Sequence, residues 1–442
     1  MSTDMSLLGT VDAALGTGPV CDWCLGRCVA DRGAGLTVPE RGWALRVVHL
    51  METDEPYEPV EPADCWVCDG AAAVDFDAWT GRVADALADV TFETFQIGTR
   101  PPEEIIDNDH ALREEAGLPA DAGVTFNAVV NAAVGDRLED RTGTRQESDR
   151  PDVVVVLDIV GEGVEVQLNP VYLYGRYRKL ESGLVQRVRQ CPDCDGTGTV
   201  EADDGTVDCE RCDGRGRFLS VEELVAWPIR DAMDASEVVF QTAGREGVDA
   251  LMLGSGRPFV LEVTEPRQRV VDPTDIVTEI REAASGRVEV VQLEFASPDI
   301  VGFVTQNPFQ QRFELTVEFT DPIAEEAFDD AVDSLDGLTI RRHLRLEDLA
   351  RGQRPHEVVR QLQDVVGKWR DERSATLAFE IDPGIDPTSI ATGDGGETEP
   401  SLTELLETPV DVVEVAVIAV EGREEPFDDP AYLRGSSPTG RG

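Results

Sequence analysis

One aspartate, Asp249, lies in the stretch FQTAGREGVDALMLGSGRPF, residues 240 to 259, between a Gly-Arg-Glu lead-in and a Gly-Ser-Gly-Arg-Pro-Phe exit. A carboxylate can act as a nucleophile or as a general base. Glycines 244, 247, 254 and 256 permit tight turns and close backbone approach to a ligand. With Arg245 and Arg257 beside it in sequence, Asp249 can meet a polyanion without being buried in a core. Read from these residues alone, the same stretch is equally an ordinary glycine-rich hairpin.

The cysteines carry a second chemistry. Eight of the nine fall into four Cys-x-x-Cys pairs. Cys21/Cys24 and Cys65/Cys68 form one expected set, with 40 residues between the pairs, and Cys191/Cys194 and Cys209/Cys212 form another, with 14 between. In a cytoplasmic protein such thiolate pairs suit tetrahedral zinc better than disulfides. The second set reads CPDCDGTG and CERCDGRG, which places glycines just after the sulfurs, where backbone amides can turn toward them. Both zincs are expected to hold folds together and to catalyse nothing. Cys28, four residues past Cys24, reads as a buried small hydrophobe.

The elements that must position these groups follow from periodicity. Residues 1 to 70 read as a small zinc-stabilised module with little regular structure. Helical spacing from 75 to 90, a strand at 91 to 99, helices at 103 to 116 and 126 to 140, and two β-rich runs around a glycine turn at 152 to 175 give an αβ domain over 71 to 182. A knuckle and linker span 183 to 218. A third domain covers 219 to 425. It starts with a helix at 220 to 234, capped by Ser220 with Glu223 completing a capping box. Strand 257 to 266, helix 273 to 285, strands 287 to 296 and 313 to 320, helix 322 to 335, and strands 337 to 344 and 410 to 422 complete a mixed α/β (α+β) domain. Residues 426 to 442 read as a flexible tail.

Charge narrows the function classes. Thirty-nine basic residues stand against 88 acidic ones, a net charge of −49, and Lys179 and Lys368 are the only lysines. A globular chain this acidic fits concentrated salt, where surface carboxylates hold water and cations and their repulsion is screened. The other reading is an acidic partner for a basic protein. Nucleic-acid binding then needs clustered cations. GRYRKLESGLVQRVR, residues 175 to 189, supplies Arg176, Arg178, Lys179, Arg187 and Arg189, with Tyr172, Tyr174 and Tyr177 as stacking or packing residues. No apolar run approaches the roughly 18 residues of a membrane span, and the N-terminus lacks a signal-peptide pattern. A cytoplasmic protein is expected.

Several of these segments resemble one family of tRNA pseudouridine synthases, the archaeal and eukaryotic enzymes that carry a THUMP-type RNA-binding domain and modify the T arm of tRNA. The loop at 240 to 259 resembles that family's H-G-A-G-R-E-D-x-D-x-R-M-L-G-x-G-R-P-F. CDWCLGRCVADRGAGLTVPERGWALR resembles its cysteine-bearing start, and NPVYLYGRYRKL at 169 to 180 its THUMP exit. The resemblance covers residues 15 to 425. It implies a zinc module followed by a THUMP-like domain, a zinc knuckle and a pseudouridine-synthase-like domain, with Asp249 as the catalytic carboxylate. Taken with the basic run at 175 to 189, it makes Arg245, Arg257, Arg176, Arg178, Lys179 and Tyr177 the expected tRNA contacts. The implied reaction isomerises uridine to pseudouridine at positions 54 and 55, with structural zinc, no organic cofactor, no protein partner and a monomeric state.

The chain departs from the family pattern at several places. Leu251 stands where the family has arginine, Gln241-Thr242 replaces His-Gly, and Gly247 replaces the first aspartate of the loop. In GIDPTSIATGDGG, 384 to 396, Asp386 and Thr388 replace a tyrosine and a lysine. Arg354, Pro355 and His356 are the remnant of an R-T-P tract. The alternative to an enzyme is a catalytically weak or inactive tRNA-binding relative, an RNA chaperone. The CxxCxGxG knuckles also occur in protein chaperones, which carry four such repeats where this chain has two.

Overall fold

The computed structural model describes residues 6–29, 32–119, 123–202, 205–343, 357–422 and 432. The Arg354–His356 tract and the tail 426 to 442, apart from Tyr432, lie outside the described residues. The chain divides into two compact units, Met1–Asn169 and Pro170–Gly442.

The first unit opens with three helices, Leu7–Gly16, Asp22–Arg27 and Val38–Thr53, where little regular structure was expected. The third starts with a capping box, in which Thr37 and Glu40 satisfy each other's backbone amides. Gly26 and Gly42 let the second and third helices touch backbone to backbone. A Cβ on Gly42 would lie 1.8 Å from the Asp22 carbonyl oxygen, and one on Gly26 would lie 1.8 Å from that of Val38. Beyond them, helices Phe76–Ala86, Glu103–Glu115 and Phe126–Thr142 agree with the periodicity. They accompany a four-stranded sheet in the order Arg145–Gln146, Thr94–Arg100, Val153–Asp158, Gly163–Leu168. Its central pair is parallel, and the last two strands form the expected hairpin. The apolar cluster of this unit runs without a break from Val11 and Cys21 to Phe95 and Val153.

In the second unit an eight-stranded sheet carries the core. The order is Val288–Ala296, Val171–Lys179, Leu251–Thr264, Val410–Glu421, Gln310–Phe319, Ser374–Ile381, Gln363–Asp371, with Glu237–Thr242 paired to Leu251–Thr264. The strand Val171–Lys179, read from sequence as the end of the αβ domain, therefore belongs to this sheet, antiparallel to two of its members. Sequence patterning joined it to the hairpin because apolar alternation continues across Asn169-Pro170 without a break. Helix Val221–Ala232 starts on Ser220, whose side chain accepts from the Glu223 amide as expected. Helices Pro273–Ala284 and Glu325–Leu335 also fall where predicted. Helix Asp299–Gln306 and strands Glu357–Gln361, Gln363–Asp371 and Ser374–Ile381 had no assignment in the sequence reading. The fold is a mixed α/β architecture throughout. Among the described residues no helix is long and apolar enough to cross a membrane.

Candidate active site

Residues 243–250 form the loop between strands Glu237–Thr242 and Leu251–Thr264. Leu251 and Met252 run parallel to Ala416 and Val417. Register against Val171–Lys179 then shifts between Met252 and Arg257, so residues 253–256 bulge. Two glycines make this bulge possible. Gly254 (φ 55°) has no room for a side chain, since a Cβ would sit 1.8 Å from the Ile418 carbonyl oxygen. Gly256 (φ 76°) is similarly placed, 2.8 Å from the Tyr177 carbonyl. Arginines of the neighbouring strand hold the bulged carbonyls. Arg178 donates from Nε to Gly254 O at 2.7 Å, and Arg176 donates to Gly256 O and to Val420 O at 3.0 Å each.

A buried ionic group braces the loop from below. Lys179 Nζ donates to the carbonyls of Leu184, Gly247 and Val248 at 3.1, 3.0 and 2.9 Å, and stands 3.9 Å from the Glu246 carboxylate. Arg257 Nε donates to the same carboxylate at 3.1 Å, and its terminal nitrogens donate to Ala243 O at 2.6 Å and Gln311 Oε1 at 3.3 Å. Gln186 Nε2 donates to the Tyr177 hydroxyl at 3.0 Å and to Thr242 Oγ1 at 3.2 Å. Lys179, Arg257 and Tyr177 have no exposed surface. Burial lowers the Lys179 pKa from its ordinary value, against the attraction of Glu246. Burial, followed by the Glu246 charge, raises that of Tyr177. Charges taken this far from water persist when they are paired; here Glu246 is hydrogen-bonded by Arg257 through one oxygen, while its other oxygen has only Lys179 at 3.9 Å.

The sequence-predicted residues thus separate into two groups. Asp249 is exposed, its backbone carbonyl accepts from Ser182 Oγ at 3.0 Å, and among the described residues its carboxylate enters no ion pair. Arg245 is exposed beside it. Arg178 is partly exposed and paired with Glu289 at 3.2 Å. Arg257, Arg176, Lys179 and Tyr177 are buried and hold the loop. Tyr174 is buried as well, and Tyr172 is half-buried with its hydroxyl donating to Glu262 at 3.2 Å. Arg187 and Arg189 remain at the surface.

Sequence reasoning missed Glu246, Gln186 and Gln311. Nothing in one sequence marks a glutamate or a glutamine as buried, although Glu246 lay inside the loop motif. The departures from the family pattern also have local roles. Asp386 caps helix Pro387–Thr392, accepting from Thr388 N at 3.0 Å and Thr388 Oγ1 at 2.8 Å. Gly247 faces open space, and the only neighbour of an added Cβ would be Ala250 Cβ at 3.8 Å.

The cysteines assemble as the spacing predicts. Cys21, Cys24, Cys65 and Cys68 form one buried group, and Cys191, Cys194, Cys209 and Cys212 a second. In each, the four sulfurs lie within 4.8 Å of one another, and none is in a disulfide. Sulfur–sulfur separations of 3.8 Å (Cys21 to Cys68), 3.9 Å (Cys191 to Cys209) and 3.8 Å (Cys194 to Cys212) match the tetrahedral edge. That edge is about 3.8 Å for metal–sulfur bonds of about 2.3 Å. Both groups therefore fit a tetrahedral metal. The expected glycine amides are in place, with Gly198 N donating to Cys194 Sγ and Gly216 N to Cys212 Sγ, each at 3.3 Å. Cys28 stands apart, buried, with its thiol donating to Cys24 O at 3.5 Å.

The family model described as the Pus10 C-terminal domain matches residues 172–421, more than half of the chain, and takes in the whole braced loop. The chain belongs to the Pus10 family. A second model, the archaeal Pus10 THUMP domain, matches residues 79–158, within the unit that carries the four-stranded sheet. A tRNA pseudouridine synthase Pus10 from Halorubrum lacusprofundi is 42% identical over 97% of this chain and 100% of its own length. Those of Methanothrix thermoacetophila and Pyrococcus furiosus are 34% and 32% identical, over 94% and 88% of this chain and 95% and 91% of their own. Among solved structures, a pseudouridylate synthase aligns over 70% of this chain and 86% of its own at 12% identity with a TM-score of 0.20. A Cbf5–Nop10–Gar1 complex aligns over 46% of this chain and 47% of its own at 11% identity with a TM-score of 0.28. Likeness at that level adds nothing to the family assignment.

Proposed function

We propose that this Pus10-family chain binds tRNA and isomerises uridine to pseudouridine in the T arm, at positions 54 and 55, with Asp249 as the reacting carboxylate. The observation that carries the reading is the loop itself. It is family-matched, rigidly braced by Lys179, Glu246 and Arg257, and presents Asp249 and Arg245 to solvent. A flipped-out uridine would reach an exposed carboxylate, while Arg245, Arg187 and Arg189 would approach phosphates. The C1′–N1 bond breaks, the uracil turns within the site, C5 bonds to C1′ in place of N1 and loses its proton, and N1 gains one, so the product is an isomer of the substrate. Asp249 would act either by attacking C1′ or by taking the C2′ proton, and no external co-reactant is needed. Each cysteine quartet would hold one zinc with a purely structural role. The acidic composition suits a cytoplasm of high salt, and the chain would act as a monomer.

A second reading has its own observation in its favour. Lys179 and Arg257, which brace the loop, are engaged by Glu246 and by backbone carbonyls, and among the described residues no cation forms an ion pair with the Asp249 carboxylate. Asp386 caps a helix where the family has a tyrosine, and Gly247 is bare where it has an aspartate. A tRNA binder that does not isomerise, acting as an RNA chaperone, fits these features.

Pseudouridine mapping of unmodified tRNA in molar KCl separates the two, using the native chain, Asp249→Ala and Gly247→Asp. T-arm product with the native chain and none with Asp249→Ala supports the enzyme and its carboxylate. Product undiminished in Asp249→Ala removes that residue from the chemistry. No product from the native chain, with tRNA retained and product restored by Gly247→Asp, establishes a binder silenced by the loss of the aspartate at position 247.

A further inference from the structure

Helix Val38–Thr53 buries two polar side chains on the face it packs, beside Val38 and Leu45. Its buried residues are Gly42, Arg46 and His49. Arg46 is held by Asp22 at 2.6 Å and by the Val20 carbonyl. The adjoining face carries Trp43, Val47, Leu50 and Met51, an i, i+4, i+7, i+8 stripe of the kind that normally faces a core. Here Trp43 is 52% exposed and Met51 78%. Together with Tyr57, itself 48% exposed, the stripe lines a cavity of about 600 Å³. A contiguous apolar surface of this kind on a soluble chain marks an interaction site.

The rim identifies the class of partner. From residue 47 to residue 64 the chain carries six carboxylates and no lysine or arginine. Glu52, Asp54, Glu55, Glu58 and Glu61 are all exposed. A phosphate backbone would be repelled by this rim, so Trp43 and Tyr57 are not a platform for bases. A second copy of a chain with net charge −49 would bring the same sign of charge to the contact. We infer that this face docks a basic amphipathic segment of a partner protein, with apolar side chains in the cavity and lysines or arginines on the carboxylate rim. The reading is independent of what Asp249 does.

The test uses a fluorescein-labelled peptide of about 18 residues, long enough to form a helix, with leucine and lysine at helical spacing. Its counterpart replaces every lysine by glutamate. Each is titrated with the full chain and with a Trp43→Ser/Met51→Ser variant, whose exposed positions leave the core untouched. Circular dichroism and metal content verify the variant's fold. The expected result is binding of the lysine peptide that weakens about tenfold in the variant, falls with added salt, and is absent for the glutamate peptide. Equal affinity for native and variant, no binding to either, or equal binding of the glutamate peptide overturns the proposal. So does tRNA retention that drops in the variant, which would make the face an RNA surface. A dimer seen by sedimentation in the native chain and lost in the variant would assign the face to a second copy and overturn it equally.

Discussion

The two cysteine quartets use the same four sulfurs in opposite ways. The first is part of a hydrophobic core. Cys21 precedes and Cys24 sits within helix Asp22–Arg27, Cys65 and Cys68 come from a turn, and all four belong to the apolar cluster that includes Leu25, Val67 and Phe95. Its charge is met by a buried cation. Arg27 has no exposed surface, donates to Cys24 Sγ at 3.7 Å, bonds Asp109 at 2.8 Å, and lies 4.8 Å from the Trp23 ring centroid. Asp109 in turn pairs with Arg113 at 3.2 Å. Among the described residues, Val200 and Phe218 are the hydrophobic side chains packed against the second quartet. It consists of two near-identical turns, each supplying a glycine amide to its own sulfur. Four thiolates on a divalent metal leave a net charge of −2. With a metal bound, the first quartet would answer this with a guanidinium, a core and one amide, from Cys21 N to Cys65 Sγ at 3.2 Å, and the second with two glycine amides and little packing, so the first should behave as a keystone and the second as a self-contained clasp.

Ligand removal probes this difference most strongly. Cys65→Ser should unfold much of the Met1–Asn169 unit, at a cost above about 4 kcal/mol, seen as loss of its cooperative melting and as early proteolysis. Cys191→Ser should open residues 189–218 and leave the melting of the eight-stranded sheet in place. A sheet that melts early in Cys191→Ser would erase the contrast.

Arg27→Gln comes next. It leaves Asp109 buried with Arg113 as its remaining partner, at an expected cost of about 3 kcal/mol in denaturant titration. Among the described residues the second quartet has no fully buried arginine: Arg211 is half exposed and paired with exposed Asp193, and Arg215, which donates to Cys212 O at 3.2 Å, is partly exposed. Arg211→Gln should leave the melting curve unchanged, and equal effects from the two arginines would refute the electrostatic part of the comparison.

A smaller and more local effect is expected from Gly216→Ala. The residue has φ 74°, and a Cβ there would lie 2.3 Å from the Gly196 carbonyl oxygen. About 2 kcal/mol of strain should weaken metal retention in the knuckle alone. Finally, timed alkylation under a chelator, read by mass spectrometry, should modify Cys191, Cys194, Cys209 and Cys212 before Cys21, Cys24, Cys65 and Cys68. The reverse order would mean that the packed core does not slow metal release.

Much of this arrangement was legible in sequence. The quartets could be paired correctly from spacing, and the amide-to-sulfur bonds of the knuckle could be anticipated from CPDCDGTG and CERCDGRG, because ligand geometry is set by a few adjacent residues. The loop around Asp249 was recognisable, and most helices with a clear apolar period fell within a few residues of prediction. The basic run at 175 to 189 was the instructive failure. Its cations read as one RNA-facing cluster, yet Arg176 and Lys179 are buried, and Arg178 is bonded to a bulged carbonyl. Residues 173–177 are buried on both faces of their strand, and sequence does not say that a strand bearing this many cations will be covered on both sides.

Local chemistry in the sequence therefore determined the metal-ligand sets, the glycine-dependent turns and the family to which the loop belongs. The tertiary structure alone decided which charges lose water. Lys179 and Glu246 meet at 3.9 Å although 67 residues separate them in the chain, and Arg27 meets Asp109 across 82. Desolvation depends on every neighbour in three dimensions, and no spacing rule along one chain contains that information.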